Sequence, residues 1–303
     1  MKILVTGSSG LVGRALVAFL AAGGHRVTRL VRSRPGSGAV EVHWDPDAGS
    51  IDTLRLEGLD AVVHLAGESI ATGRWTAAKK ARIRDSRVKG TRLLCESVAR
   101  MDQPPRVLVS ASAIGYYGDR GDEILREESA SGSGFLAGVC RDWEAATDSA
   151  IQKGIRVVHL RIGVVLSAVG GALAKMLFPF RMGLGGVIGS GRQFMSWIAL
   201  DDLVGSIAYA ITTEALRGAV NAVAPHPVTN REFTRTLGRV LARPTLFPMP
   251  AFAARLAFGE MADELLLSST RVEPVRLSSA GYQFRYPTLE IALRHLLGKT
   301  SSP

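Results

Sequence analysis

Two serines and two tyrosines follow a short apolar run near the middle of the chain. The stretch 110–118 reads SASAIGYYG and comes directly after the apolar residues 107–109. Hydroxyl groups at the end of a buried strand can hydrogen-bond a substrate oxygen, and a tyrosine can exchange a proton with it. This pattern is typical of a hydride-transfer site, and we take Ser112 and Tyr116 as candidate catalytic residues.

A glycine triplet at the beginning of the chain predicts a nucleotide site. Residues 2–6 form a β-type run, 7–13 read GSSGLVG, helical spacing covers 14–22, and a second strand pattern covers 26–31. The three glycines would permit a tight turn, a close approach of backbone N–H groups to a pyrophosphate, and close helix–strand packing. Such a triplet can also be a plain turn, but this context favours dinucleotide binding. The predicted contacts are Gly7, Ser9, Gly10, Leu11, Val12 and Gly13.

The end of the second predicted strand indicates which dinucleotide binds. NAD-specific sites place an Asp or Glu about 20 residues beyond the first glycines, where it accepts hydrogen bonds from the ribose 2′-hydroxyl. The segment 29–34 reads RLVRSR and contains no carboxylate. Arg32 is positioned either to pair with a 2′-phosphate by charge and bidentate geometry, or to lie in a solvated basic loop. We expect NADP(H) as the cofactor.

Strand and helix patterns continue to alternate through the first half of the chain. Strand patterns cover 60–65, 106–110 and 156–161, and a helical pattern covers 86–100. Strands separated by helices predict an α/β fold with a doubly wound parallel sheet, which also includes 2–6 and 27–31. Ligands of such sheets lie beyond the carboxyl ends of the strands. This rule adds Leu65, Ala66, Gly67, Glu68 and Ser110 to the expected cofactor contacts.

Two histidines, His43 and His64, are candidates for metal binding or for a place in the functional site. His64 falls inside a predicted strand, so it is either a hydrogen-bonded core histidine or a site residue. The sequence HWDP at 43–46 resembles a metal cluster, but no further ligands follow at a useful spacing, and we expect a turn there. We predict no metal site.

Composition narrows the class of protein. The chain has 303 residues, 47% hydrophobic and 21% charged, which is enough for a sizeable core. Its net charge of +10 comes from 30 arginines and seven lysines, but these are scattered, so we do not predict nucleic-acid binding. A diffuse positive field would also attract phosphorylated small molecules.

Targeting features and the number and spacing of the cysteines lead us to expect a cytoplasmic protein. The longest uncharged apolar run, 162–174, is shorter than the roughly 20 residues that span a bilayer, and no signal-peptide layout is present, so we expect no membrane partner. Cys95 and Cys140 lack the spacing of a zinc site or a disulfide framework, and we expect reduced, packed thiols. The pattern does not predict an oligomeric state.

Several motifs resemble extended short-chain dehydrogenases/reductases, the superfamily that includes nucleotide-sugar epimerases. In chain order they are TGSSGLVG, VVHLAG, VKGTRLL, VLVSASAIGYYG, RDWEAA and SWIALDDLVGSIAYAI. The stretches GESIATGRW, CRDWEAA, PFRMGLGGVIGSGRQFMSWI and GAVNAVAPHPVTNREF are similar to its atypical "epimerase family" subgroup. The resemblance implies a Rossmann domain over 1–164 and about 195–225, and a small C-terminal substrate domain over 165–194 and 226–303. Arg161 joins the expected cofactor contacts.

The resemblance also implies a catalytic Tyr-x-x-x-Lys pair, in which the lysine lowers the pKa of the tyrosine. No tyrosine of this chain has a lysine four residues later. Aligned on CRDWEAA, the two positions hold Leu136 and Cys140, neither of which can do this chemistry, and Arg87 replaces an expected Asn. Ser112 keeps the usual Ser/Thr position, either as a ligand contact or as a structural hydroxyl. Tyr116 is displaced by one residue, and catalysis, ligand contact and packing all remain open for it.

Two functions fit these observations. The first is an NADP(H)-dependent oxidoreductase or epimerase-like enzyme with a non-standard acid/base, acting on a small carbonyl compound or nucleotide sugar. The second is a non-catalytic NADPH-binding redox sensor or interaction protein. The substrate wall is expected after the loop-rich segment 170–191. Candidates for it are Arg181, Gln193, Met195 and Trp197, of which the last two could equally be interdomain core.

Overall fold

A largely parallel sheet forms the centre of the protein. The computed structural model describes residues 1–33 and 40–299. Within these residues the central sheet contains β1 (Lys2–Thr6), β2 (Arg26–Val31), β3 (Glu41–Asp45), β4 (Ser50–Ile51), β5 (Ala61–His64), β6 (Val107–Ala113), β8 (Arg156–Ile162) and β12 (Gly218–Ala222). Three short ladders pair β7 (Ile124–Leu125) with β14 (Arg271–Val272), β9 (Val164–Leu166) with β11 (Trp197–Ala199), and β10 (Phe194–Met195) with β13 (Val228–Thr229).

The predicted α/β class and the five predicted parallel strands are confirmed. The strand order is β12-β8-β6-β5-β1-β2-β3-β4, and of the neighbouring pairs only β3–β4 is antiparallel. Strand β6 is longer than predicted, because its last residues pair with β8 through Ser112↔Arg161 and Ala113↔Ile162. Ser112 therefore lies within the strand rather than after it, and Ser110 lies within it as predicted.

The expected turn at 43–46 is wrong, because most of that stretch belongs to β3. Val31 pairs in parallel with His43, and Trp44 is almost fully buried. The turn follows β3 at residues 46–49, where the Asp45 carboxylate accepts hydrogen bonds from the backbone N–H groups of Asp47 and Ala48. A buried tryptophan favours strand pairing here over the turn tendency of Asp-Pro.

Helices cover both faces of the sheet. They are α1 (Leu11–Ala22), α2 (Ala77–Ala99), α3 (Phe135–Ala145), α4 (Asp148–Gln152), α5 (Gly171–Arg181), α6 (Leu200–Thr212), α7 (Asn230–Leu241), α8 (Ala251–Phe258), α9 (Val275–Ser279) and α10 (Leu289–Leu296). Successive side chains of a strand point to opposite faces. Ile3 and Val5 accordingly pack with Leu16 of α1 and Ile207 of α6, whereas Leu4 packs in a cluster with residues of α2 and α4.

A third apolar cluster lies beyond the carboxyl edge of the sheet. It joins α5, α7 and α10 around the fully buried Trp197. Helix α8 ends at Phe258, where Gly259 has a φ of +63°, and a π-helical segment follows at Ala262–Leu267. No helix of the described residues is both long enough and apolar enough to cross a membrane.

Candidate functional site

The strand order reverses at β1, which places a crevice between the ends of β1 and β5. Strand β1 pairs with β2 on one side and β5 on the other, and the helices that follow β1 and β5 cover opposite faces. Open α/β sheets bind ligands at such a switch point. The glycine loop follows β1 and the segment 65–68 follows β5, so the structure brings these two groups of predicted residues together.

The glycine loop forms an open cradle. Gly7 has a φ of +65°, and a Cβ there would lie 2.7 Å from the Leu65 carbonyl carbon. A Cβ on Gly13 would lie 2.2 Å from the Gly7 carbonyl oxygen, so this glycine is required for packing of α1. In contrast, a Cβ on Gly10 would meet only the Gly7 oxygen, at 3.3 Å, and would otherwise enter open space.

The N-terminus of α1 borders that space. Its N-cap residue, Gly10, has no side chain to cap the helix. Within the described part of the chain, the first-turn N–H groups of Leu11, Val12 and Gly13 have no hydrogen-bond acceptor. Unpaired N–H groups and the positive end of the helix dipole favour an anion such as a pyrophosphate. The cradle therefore fits a dinucleotide.

A buried hydrogen-bond chain holds β1 against β5 below the crevice. The Thr6 hydroxyl oxygen accepts from the N–H groups of Leu65 and Ala66, and lies 2.7 Å from Nδ1 of His64. Since both lone pairs of Thr6 are used, its hydroxyl donates to Nδ1, which places the ring proton on Nε2. Nε2 then donates to the hydroxyl of Thr91 over 2.9 Å. His64 is thus a hydrogen-bonded core histidine, and complete burial lowers its pKa to about 4.

We expect His64 to make the protein less stable in mild acid. Its folded pKa lies below the ordinary 6.5, so the unfolded chain binds a proton first and stability falls as pH drops below about 6.5. From near pH 7 to near pH 5 the loss should be about 2 kcal/mol. Urea unfolding at the two pH values, compared between wild type and His64→Gln, measures it. An equal pH response of the two proteins would contradict this assignment.

Arg32 lies exposed at the end of β2, on the side of the crevice where the adenosine end of a dinucleotide would lie. Its backbone carbonyl accepts from Nε2 of His43 over 3.1 Å. No side-chain hydrogen bond or ion pair of Arg32 occurs among residues 1–33 and 40–299. Arg29, by comparison, is paired with Glu41 at 2.7 Å. Arg32 is therefore the available cation of this strand end, and Arg34 lies outside the described residues.

Ser112 belongs to a buried ionic cluster that the sequence alone did not indicate. Its hydroxyl donates to Glu144 Oε1 over 2.7 Å. Arg161 binds both oxygens of the same carboxylate, with Nε and Nη2 each at 2.9 Å. Burial by itself would lower the pKa of Arg161, but the hydrogen bonds to Glu144 outweigh it and the pKa is raised. We predicted Arg161 as a cofactor contact, but in the structure its side chain mainly binds the Glu144 carboxylate.

The two tyrosines of the turn have different environments. Tyr117 is fully buried, donates to Asn221 Oδ1 over 2.7 Å and accepts from Arg161 over 3.0 Å. Burial raises its pKa to about 12, so it is a structural residue. Tyr116 is partly exposed, and its hydroxyl has no partner among the described residues. Its ring lies against the Arg161 guanidinium, 3.5 Å from the ring centroid, which is a cation–π contact.

The positions of the missing catalytic pair are apolar. Leu136 packs with Ile83 and Trp75, and the segment 261–265 covers them. Cys140 is buried, and burial raises its thiol pKa to about 11, so it stays protonated at neutral pH. Arg87 donates to the carbonyls of Glu68 and Ile83, and its guanidinium lies over Trp143 rather than near a tyrosine. None of these three side chains substitutes for a Tyr–Lys pair.

The sequence did not indicate a second functional candidate beside the crevice, the buried Lys79. Lys79 of α2 donates to Glu68 Oε1 over 2.6 Å and to the Thr72 hydroxyl over 3.0 Å. The hydrogen bond from Lys79 holds the pKa of Glu68 below its ordinary value. Lys79, Ile83 and Arg87 recur every four residues and share one face of the helix. This four-residue spacing could have identified Lys79 from the sequence, but the many charged residues of α2 make a buried face of the helix difficult to recognise.

Most of the residues expected at the substrate wall make hydrogen bonds or packing contacts within the protein instead. Gln193 donates from its amide to the carbonyls of Ile188 and Leu266. Trp197 is fully buried core, and Met195 packs partly buried against the same cluster. Arg181 is exposed, and its side chain has no partner among the described residues.

A separate surface cavity lies at the opposite edge of the sheet. Asp60, Arg106 and Arg217 line it. Arg156, also at this cavity, donates to carbonyls of residues 210, 211 and 216 and so caps the end of α6. Because ligands of open α/β sheets bind at the carboxyl ends of the strands, we do not assign the site to this edge. The described residues also contain no cluster of three or more potential metal ligands.

Comparison with known proteins gives consistent results. The family model "NAD dependent epimerase/dehydratase family" matches residues 3–222, and "Domain of unknown function (DUF1731)" matches 249–296. "Epimerase family protein Mb2239" of Mycobacterium bovis is 48% identical over 291 residues, which are 96% of either chain.

Solved structures agree with the fold. The crystal structure of human epimerase family protein SDR39U1 (isoform 2) with NADPH is similar with a TM-score of 0.89 and 36% identity, over 99% of this chain and 100% of that one. UDP-N-acetylglucosamine 4-epimerase from Bacillus cereus has a TM-score of 0.77 at 18% identity, over 99% of both chains, which is a likeness of fold alone. From its fold, its glycine cradle and these matches, the chain belongs to the NAD dependent epimerase/dehydratase family.

Proposed function

We propose that this protein is an NADP(H)-dependent oxidoreductase acting on a small carbonyl or alcohol compound. The observation that carries the proposal is the open cradle at Gly10, bordered by helix N–H groups and, at the adjacent strand end, by an Arg32 side chain, all without partners within residues 1–33 and 40–299. The similar human protein was crystallised with NADPH, which supports the same cofactor class. The proposed contacts are Gly7, Ser9, Gly10, Leu11, Val12, Gly13, Arg32, Leu65, Ala66, Gly67, Glu68 and Ser110.

The protein's part in cofactor binding is electrostatic. A nicotinamide dinucleotide, when bound, supplies or accepts a hydride. The first turn of α1 would neutralise the pyrophosphate, and Arg32 would pair with the 2′-phosphate. Lys79 holds Glu68 and Thr72 together, which keeps the segment after β5 in place beside the crevice. We propose an indirect role for Arg161, which fixes Glu144 and supports Tyr116.

At the substrate end, we propose that Ser112 and Tyr116 hold the reacting oxygen. Because the Ser112 proton is directed at Glu144, the serine oxygen remains able to accept a hydrogen bond from an alcohol. The Tyr116 hydroxyl, which has no partner in the described part of the chain, is able to give a proton to a carbonyl oxygen. The Arg161 guanidinium below the ring would offset part of the negative charge that remains. This arrangement differs from a Tyr–Lys pair, since the cation contacts the ring face.

The second candidate is a non-catalytic NADPH-binding sensor or interaction protein. It is favoured by Leu136 and Cys140, which replace the usual acid/base pair with an apolar side chain and a neutral thiol. Cofactor binding would then be retained without turnover.

Turnover tests decide between the two. We expect the purified protein to oxidise NADPH with some member of a carbonyl panel, and Ser112→Ala to lower kcat/KM by about 10²-fold. Tyr116→Phe should lower kcat with little change in NADPH affinity. Ser149→Ala is the matched control, because that hydroxyl is buried on α4 without a hydrogen-bond partner among the described residues.

Two outcomes would argue against this proposal. Unchanged turnover in both Ser112→Ala and Tyr116→Phe would place the chemistry elsewhere. Tight NADPH binding without turnover on any carbonyl compound or nucleotide sugar would favour the sensor.

We also propose that residues 165–194 and 226–303 form the substrate-side lobe. The apolar cluster of α5, α7 and α10, which is separate from the two sheet-face clusters, supports this division.

A further inference from the structure

Helices α5 and α8 both contact the loop that follows β5. Lys175 of α5 donates from Nζ to the Ala71 carbonyl over 2.9 Å. Arg74, on the same loop, donates to the Leu256 carbonyl near the end of α8 over 2.8 Å. The first half of α5 and the second half of α8 are therefore joined through residues 68–75.

The other ends of the two helices are joined by paired backbone. Met249 donates its N–H to the Val187 carbonyl over 2.8 Å, and Leu184 forms a bridge with Thr245. Leu184 also donates its N–H to the Pro179 carbonyl of α5, over 2.9 Å. The segments 184–189 and 245–249 thus complete a ring with α5, the loop 68–75 and α8, which we call the substrate-side ring.

Large apolar side chains of this ring are exposed. Phe178 of α5 and Met182, the residue that caps its C-terminus, are four residues apart, as are Phe252 and Leu256 of α8, so each pair lies on one side of its helix. Seven apolar residues of the ring are between 56% and 75% exposed, namely Phe178, Met182, Leu184, Leu246, Phe247, Phe252 and Leu256. A soluble monomer seldom exposes more than a few hundred Å² of contiguous apolar surface. Such a surface indicates a ligand or partner that covers it.

The ring is continuous with the cofactor crevice. Gly170, the N-cap of α5, faces Leu11 of the glycine loop, and a Cβ there would lie 3.1 Å from Leu11 Cδ1. The loop 68–75 begins at Glu68, beside that crevice. Trp75 of the loop 68–75 packs in one apolar cluster with Leu136, the position where the family's tyrosine would be. An apolar surface that leads to the reacting position fits a substrate better than a docking protein.

The charges of the ring disfavour a nucleotide sugar. A diphosphate is recognised by cations with free donors. Lys175, Arg74 and Arg243 donate to main-chain carbonyls, and Arg255 is paired with Asp263. Lys175, Arg74 and Arg243 keep their charge, but each is already directed at the main chain. Arg181 is the cation of the ring whose side chain has neither a hydrogen-bond nor an ion-pair partner among the described residues, which is enough for one anionic group.

We infer that the substrate is an apolar carbonyl compound whose hydrocarbon or aromatic body lies against Phe252, Leu256 and Phe178 of the substrate-side ring. This inference rests on the proposed function, and it specifies the substrate class of the same site. The reacting carbonyl would reach Ser112 and Tyr116 past the cluster around Leu136.

A homologous series of straight-chain aldehydes tests the inference. With NADPH saturating, KM should fall about two- to fourfold for each added methylene from butanal to decanal. The double variant F252S/L256S should flatten this dependence by raising KM most for the longest aldehydes, because it removes the apolar surface that the added methylenes contact. I151S, which removes an exposed apolar side chain of α4, is the matched control and should behave as wild type.

A binding measurement makes the test independent of turnover. The apolar anionic fluorophore 1-anilinonaphthalene-8-sulfonate should bind NADPH-loaded wild type at least fivefold tighter than the double variant, and decanal should displace it. Failure of the NADPH titration itself would instead count against the proposed function. Three results would overturn the inference: a KM independent of chain length, fluorophore binding unaffected by F252S/L256S, or a dimer in sedimentation that this variant dissociates.

Discussion

Replacing Glu144 with alanine is expected to destabilise the protein by about 3–5 kcal/mol. Its carboxylate receives two hydrogen bonds from Arg161 and one from Ser112, all between 2.7 and 2.9 Å. Arg161 is only 4% exposed, so removal of the carboxylate leaves a buried cation without its counter-charge. The expected loss is the cost of that uncompensated charge rather than the net value of the pair. Urea unfolding of wild type and Glu144→Ala measures it.

Two controls isolate the effect of burial. Glu290→Ala removes a partly exposed carboxylate that pairs with Arg239 and with Arg294, each at 2.8 Å, and should cost far less than Glu144→Ala because solvent screens these pairs. The double variant E144L/R161M removes both buried charges and should recover part of the lost stability. If Glu144→Ala cost no more than Glu290→Ala, Arg161 would have to reach solvent in the variant, and Ser112 would not be held by a rigid cluster.

Replacing Arg32 with aspartate is expected to change the NADPH-to-NADH affinity ratio by about 10²-fold or more. Wild type should prefer NADPH at least tenfold, since a charge-assisted hydrogen bond contributes about 1.5–3 kcal/mol. The variant removes that partner, repels the 2′-phosphate and offers the NAD ribose an acceptor, so the preference should vanish or invert. In wild type the preference should shrink as salt rises, because Arg32 is exposed. Calorimetric titration with both nucleotides measures these ratios.

Charge and site controls accompany this test. Arg100→Asp makes the same change of charge at an exposed position near the end of α2 and should leave the ratio unchanged. Gly10→Ala should weaken both nucleotides alike, because its methyl group would occupy the open space of the cradle. Equal wild-type affinities, or an unchanged ratio in Arg32→Asp, would show that a 2′-phosphate is recognised elsewhere or not at all.

The features predicted well from sequence are those with local causes. The turn at Gly7, the close packing at Gly13 and the helix that follows are determined within a dozen residues, so their spacing was a sufficient signal. The parallel strands were predictable for a similar reason, since alternating helices force parallel connections. The absence of a Tyr-x-x-x-Lys pair could likewise be read directly.

Other features depend on residues that are distant in the chain. Ser112 and Glu144 are 32 residues apart, and Glu144 and Arg161 are 17 apart, and they meet because β6, α3 and β8 are neighbours in the fold. No periodicity within one element encodes such a contact. His43 and Trp44 were misjudged for the same reason, because pairing with β2 and burial outweighed local turn preference.

The amino-acid sequence by itself determined the sheet, the glycine cradle and the lack of the usual acid/base pair, because each depends on backbone conformation or residue identity over a short stretch. Only the tertiary structure decided which polar groups remain free. Among the described residues, Arg29 is paired with Glu41 whereas the Arg32 side chain has no partner, and the Tyr117 hydroxyl is hydrogen-bonded whereas that of Tyr116 is not. The physical reason is that a side chain's availability depends on its neighbours in space.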